Sequence, residues 1–186
     1  MSALIFAMLT GFSCVAIGAD FTHENTPQNL KAFFERVHHT LYMQQDSKQA
    51  AALFDSLIPD EARIRKALRE DVAADAVQQI LELQKSFGRV TEREVGKVVV
   101  GPTHKVAWVY GATTEEIARH TEGSLAYKAF AGGARRIAKN VLRPGMTYYQ
   151  VEYQGRGQKV AMKYNLLYWD GKQWTMLGSA WQAFKR

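Results

Sequence analysis

Leu30, Phe33, Phe34, Val37, Leu41 and Tyr42 recur three and four residues apart, the spacing that places side chains on one face of a helix. Thr26-Pro27 stands just ahead, a capping hydroxyl followed by a proline where a helix has no use for the missing N–H. The pattern predicts an amphipathic helix over about residues 27–45. Ser47 caps a second, short helix with Ala50, Ala51, Leu53, Phe54, Leu57 and Ile58 on its apolar face, and Pro59 stops it. Asp60 and Glu61 suit the positive end of a third helix dipole. Ile64, Leu68, Val72, Val77, Ile80, Leu81 and Leu83 carry that region to Phe87, with a break near 71–75, and Gly88 ends it.

Beyond Gly88 the period shortens. Residues 97–100 and 105–110 are β-branched or aromatic runs separated by Gly101-Pro102-Thr103-His104, and they predict two strands. Thr113 or Thr114 caps a helical turn through Glu115 to Ala118. Helical spacing returns between Ser124 and Arg143 in Leu125, Phe130, Ala134, Ile137, Ala138, Val141 and Leu142. Gly132-Gly133 costs roughly 2 kcal/mol of helix propensity relative to alanine, which predicts two shorter helices or an elbow in place of one rod.

Residues 146–154, 159–169 and 173–184 then read as three consecutive antiparallel strands. Gly155-Arg156-Gly157 joins the first two and Asp170-Gly171 the last two, a dipeptide that accepts positive φ at both positions. With no repeat, low-complexity stretch or linker, residues 20–186 form a single α+β domain: N-terminal helices packed on a curved antiparallel sheet, with a helical basic insertion before the last three strands.

Residues 1–19 carry no charge, and their apolar run ends at Gly18-Ala19 before the polar Asp20, Thr22, His23 and Glu24. This reads as a signal peptide cut after Ala19, since the run is shorter than the ~20 residues that cross a bilayer. No Lys or Arg precedes the run, however, and Ile17 holds a position usually given to a small residue, so a retained anchor or buried N-terminal helix stays open. Leu9 to Cys14 also resembles a bacterial lipoprotein signal, with Cys14 as the lipid carrier. The expectation is a secreted or periplasmic protein, with the lipoprotein anchored at Cys14 as the alternative. Cys14 is the only cysteine, so residues 20–186 hold no disulfide, thiol nucleophile or thiolate metal site.

Charge is uneven: residues 20–94 are net −3 and residues 95–186 net +9. The second half therefore suits an anionic partner, or simply presents a solvated basic surface.

Tyr168-Trp169-Asp170-Gly171-Lys172-Gln173-Trp174, followed by Met176-Leu177-Gly178, together with the order of elements over residues 27–184, resembles the cystatin-like, or nuclear-transport-factor-like, α+β cone fold. The resemblance implies a curved sheet wrapped around helices and a conical pocket used for small apolar ligands, for isomerase or dehydratase chemistry, or for dimerisation. The basic segment 113–143 is longer than the connection that fold implies and lies where it can lid the pocket. Function does not follow from fold.

Glu35, His38 and His39 are the nearest approach to a metal motif, but His23, His104 and His120 are isolated and a site needs further ligands; no metal and no cofactor is expected. The cone analogy makes His38 and a strand tyrosine, Tyr149 or Tyr164, the weak catalytic candidates. Alternation sends Tyr148 and Glu152 to the face opposite Tyr149 and Tyr153, and aromatic strand residues ordinarily pack the core. Hydrolase elbows, P-loops and dinucleotide fingerprints are absent.

Arg135, Arg136, Lys139 and Arg143 are the ligand-binding candidates, with Arg119, Arg156, Lys159 and Lys163 as outlying members. On a helix they suit an anionic membrane surface or an acidic partner, while the plainer reading is an amphipathic helix with its basic face in water. Export argues against nucleic acid. The sequence thus points to a non-catalytic binding module for a small or anionic envelope ligand, with an isomerase- or dehydratase-like enzyme or a homodimerising interaction protein as alternatives.

Overall fold

A computed structural model describes residues 25–72, 74–155, 157 and 162–184. The expected leader, Cys14 included, and the outlying Arg156 and Lys159 lie outside the described residues. Thr26 caps α1 (Pro27–Tyr42) by accepting from the Asn29 N–H at 3.2 Å, and Leu30, Phe34 and Val37 are its buried face. Helix α2 (Ser47–Asp55) begins one residue earlier than expected. Its cap is Asp46, whose carboxylate accepts from Gln49 N at 2.8 Å, leaving Ser47 in the first turn. Asp60 caps α3 (Glu61–Ala67) in the same way, and α4 (Ala74–Phe87) follows. The break between them starts at Leu68, because Leu68 is extended and bridges to Leu142 while Arg69 N donates to Val141 O at 2.9 Å.

The strand expected at 97–100 is a correction. Val95–Val98 is one helical turn, α5. Val95 and Val99 stand four apart, both buried against α1 and α2, and that burial overrides their β preference. Strand β1 runs further than expected, Lys105–Thr113, and ends on a capping box in which Thr113 and Glu116 bond reciprocally to open α6 (Thr114–Arg119). Helices α7 (Leu125–Ala129) and α8 (Gly132–Asn140) divide at the glycine pair. Gly133 also gives room to Trp181: a Cβ there would stand 2.3 Å from the indole Cδ1.

The meander comprises β2 (Thr147–Gln154), β3 (Met162–Trp169) and β4 (Trp174–Met176). The last strand expected to reach 184 stops after three residues. Gly178 turns at φ +59° and a 3-10 helix, Ala180–Phe184, packs back on α4 and α8. Only Gly171 of the Asp170-Gly171 pair has positive φ. Trp169 pairs with Trp174, so the loop spans four residues, held by the Asp170 carboxylate accepting from Lys172 N and Gln173 N at 2.8 and 3.0 Å.

The sheet is antiparallel throughout in the order β1-β2-β3-β4. Between Tyr149 and Val151 the register slips, so Asn165 and Leu166 both oppose Gln150, with Leu166 at φ +50°. This bulge bends β3 and turns Leu166 to the face of Tyr148 and Tyr168, and Leu167 to that of Tyr149. Helices α1, α2 and α5 cover the Tyr149 face; α3, α4 and the insertion α6–α8 cover the Tyr148 face.

Arg63 ties α3 to the hairpin and was not marked by any sequence pattern. Its guanidinium donates to Asp170 Oδ2 at 3.0 Å, to Thr175 Oγ1, and to the carbonyls of Ser56, Ile58 and Trp174 at 3.0, 2.9 and 2.7 Å. Tyr168 donates to the Arg63 carbonyl.

Candidate functional site

The strand tyrosines are joints between sheet and helices. Tyr148 donates to Ala67 O at 2.8 Å, Tyr149 to Asn25 O at 3.0 Å, Tyr153 to Phe34 O at 3.1 Å, and Tyr164 to Val98 O. Burial pushes each of these phenols above its ordinary value, so each stays a neutral donor. His38 lies against Tyr42, ring centroids 4.8 Å apart, with Nε2 3.2 Å from Gly101 O. His38, Tyr149 and Tyr164 thus each engage a different backbone carbonyl, and no hydrogen bond between described residues joins the histidine to either tyrosine. Glu35 pairs instead with Lys31 at 3.7 Å on the surface of α1. Among the described residues no three histidine, cysteine or carboxylate side chains cluster as metal ligands.

The basic candidates separate into two groups. Arg135, Arg136 and Lys139 are exposed on α8, and their side chains make no hydrogen bond or ion pair with a described residue. They stand opposite Ala134, Ile137 and Ala138, which are buried and fix the helix in the core. Arg143 is a brace: its Nε donates to Leu68 O at 3.2 Å, its N–H to Ala67 O at 2.8 Å, and Glu70 lies 3.9 Å away. Arg119 is exposed at the end of α6. Lys163 belongs to another region altogether, on β3, with Nζ 2.5 Å from Glu152 Oε1.

That second region was not legible as a site. Trp108 pairs with Glu152 and Glu152 with Lys163 across β1, β2 and β3, while Tyr110 pairs with Gln150, so all five side chains share one face. Gln150 is fully buried and Glu152 6% exposed. Gln150 Nε2 donates to Glu152 Oε1 at 2.6 Å, while Gln150 Oε1 has no partner. Trp108 is 57% exposed and stacks on Tyr110, centroids 6.4 Å apart. The Tyr110 phenol is raised chiefly by burial and further by the Glu152 charge, against the opposing Lys163.

A mainly apolar cavity of about 300 Å³ lies where β4 ends short of β3, lined by Phe54, Ile58, Val98, Met162 and Met176 with Lys97 among its polar walls. No helix among the described residues is long and apolar enough to cross a membrane. No protein-family model, curated protein or solved structure matches this chain.

Proposed function

We propose that this chain is an exported, non-catalytic binding module that holds an anionic ligand of the cell envelope on α8. The observation that carries the reading is the set Arg135, Arg136 and Lys139: three exposed cations without partners among the described residues, on a helix whose other face is locked into the core. Cations left unneutralised on a fixed backbone attract an anion at little ordering cost. The non-catalytic part draws support from the hydroxyls of Tyr149 and Tyr164, both committed to backbone carbonyls, and from the separate anchoring of His38.

Co-sedimentation with phosphatidylglycerol vesicles against phosphatidylcholine vesicles tests it. Each cation near an anionic surface contributes about 1 kcal/mol, so Arg135→Ala/Arg136→Ala/Lys139→Ala should weaken binding more than about hundredfold. Salt at about 1 M, where screening reaches within about 3 Å, should abolish it. Equal binding of the triple variant, or no preference for the anionic lipid, refutes the reading.

A further inference from the structure

Five of the strand tyrosines, Tyr148, Tyr149, Tyr153, Tyr164 and Tyr168, donate their hydroxyls to main-chain carbonyls. Tyr110 is the exception: half-buried, its hydroxyl makes no hydrogen bond with a described residue. It sits under an exposed indole and beside the chain Gln150–Glu152–Lys163, in which a fully buried amide oxygen also lacks a partner. The other strand tyrosines have their hydroxyls committed to the fold, so the accessible Tyr110 hydroxyl beneath an exposed indole is the one left to engage a ligand.

The chemistry of the face selects the occupant. Trp108 stacked on Tyr110 offers a broad aromatic surface with a free N–H and a free O–H at its edges. Glu152, held by the buried Gln150 amide, accepts, and Lys163 has further protons to donate after its bond to Glu152. Glu152 and Lys163 neutralise one another at 2.5 Å, so the face has no excess positive charge to hold a phosphate. An apolar protein surface would take the Tyr110 hydroxyl and the charged pair out of water without supplying hydrogen-bond partners. A sugar ring meets both demands, because its axial C–H groups make one face apolar and its hydroxyls both donate and accept.

We propose that Trp108, Tyr110, Gln150, Glu152 and Lys163 form a carbohydrate-binding site for an uncharged glycan. The ring lies on Trp108, and its hydroxyls engage Glu152, Lys163 and Tyr110, while the buried Gln150 amide holds Glu152 in place. The site does not rest on the anion-binding reading of α8.

The experiment is calorimetric titration of the chain with short soluble cello-, chito-, xylo- and malto-oligosaccharides. One series should bind saturably. Trp108→Ala should weaken that binding at least about tenfold, and Tyr110→Phe severalfold, while Arg135→Ala/Arg136→Ala/Lys139→Ala leaves it unchanged. Thermal unfolding of each variant separates lost binding from lost fold. If Trp108→Ala does not fold, Tyr110→Phe, which removes one exchangeable hydroxyl and no packing, decides. The proposal is overturned if no series saturates by about 10 mM, or if the folded variants titrate as the parent does.

Discussion

Replacing Arg63 by alanine tests whether the buried guanidinium holds the hairpin to α3. Arg63 is 9% exposed and the Asp170 side chain 4%. The substitution strips the carboxylate of its cation and the carbonyls of Ser56, Ile58 and Trp174 of their donor. Breaking such a pair from one side costs about 3–5 kcal/mol, because a buried charge is left uncompensated. Against a domain stability of roughly 5–15 kcal/mol, that is a third or more of the whole. Arg63→Lys keeps the charge but not the planar fork, and should fall between. Urea unfolding followed by tryptophan emission measures both, Trp169 and Trp174 flanking the loop. The pH dependence adds a second readout. Burial alone would raise the Asp170 carboxyl, but the N–H groups of Gln173 and Lys172 and the Arg63 charge outweigh it and hold it below its ordinary value. A depressed carboxyl contributes stability above its unfolded value of about 3.9, and that contribution is lost as pH falls through the lower folded value. In Arg63→Ala the folded value rises toward the unfolded one, so the acid-limb loss should be smaller and complete at higher pH. A cost under about 1 kcal/mol with an unmoved acid limb would refute the reasoning.

The two adjacent glycines should respond oppositely. Gly133→Ala drives a methyl into Trp181, an overpacking cost of about 1–3 kcal/mol that exceeds the gain in helix propensity. Gly132→Ala meets nothing within 4 Å and should be neutral to about 1 kcal/mol stabilising; thermal midpoints in the reverse order would overturn this account of the pair. Tyr153→Phe should lose about 0.5–1.5 kcal/mol with its bond to Phe34 O, whereas Tyr110→Phe should leave the unfolding midpoint where it is. Equal effects on chemical denaturation would show that the tyrosine joints are not what secures α1 to the sheet.

What the chain reveals in advance and what it hides divide along physical lines. Periodicity reports which side of an element is apolar, so α1, the split of α7 from α8, and the opposite faces of Tyr148 and Tyr149 were legible. The same signal misread 97–100, where burial of Val95 and Val99 decided against a strand. It also overran β4, whose end is set by a turn at Gly178. Arg63 looks like any polar residue on an exposed helix until Thr175 and Asp170, more than a hundred positions away, close around it.

The candidate sites divide in the same way. A run of arginines announces itself by composition, and Arg135, Arg136 and Lys139 do face outward; Arg143, identical in the sequence, is a brace because Leu68 and Ala67 present carbonyls to it. Tyrosines on strands all look alike as well, and by count Tyr149 and Tyr164 are as eligible as Tyr110. Only the three-dimensional list of acceptors distinguishes them. The helices covering β2 and β3, with the Asn25 carbonyl just ahead of α1, supply an acceptor to five of these hydroxyls, while Tyr110, on the edge strand, finds a glutamate, a buried amide and an exposed indole instead. The sequence can therefore nominate chemistry by residue type, but which groups stay free to use it is decided by what the fold places opposite them.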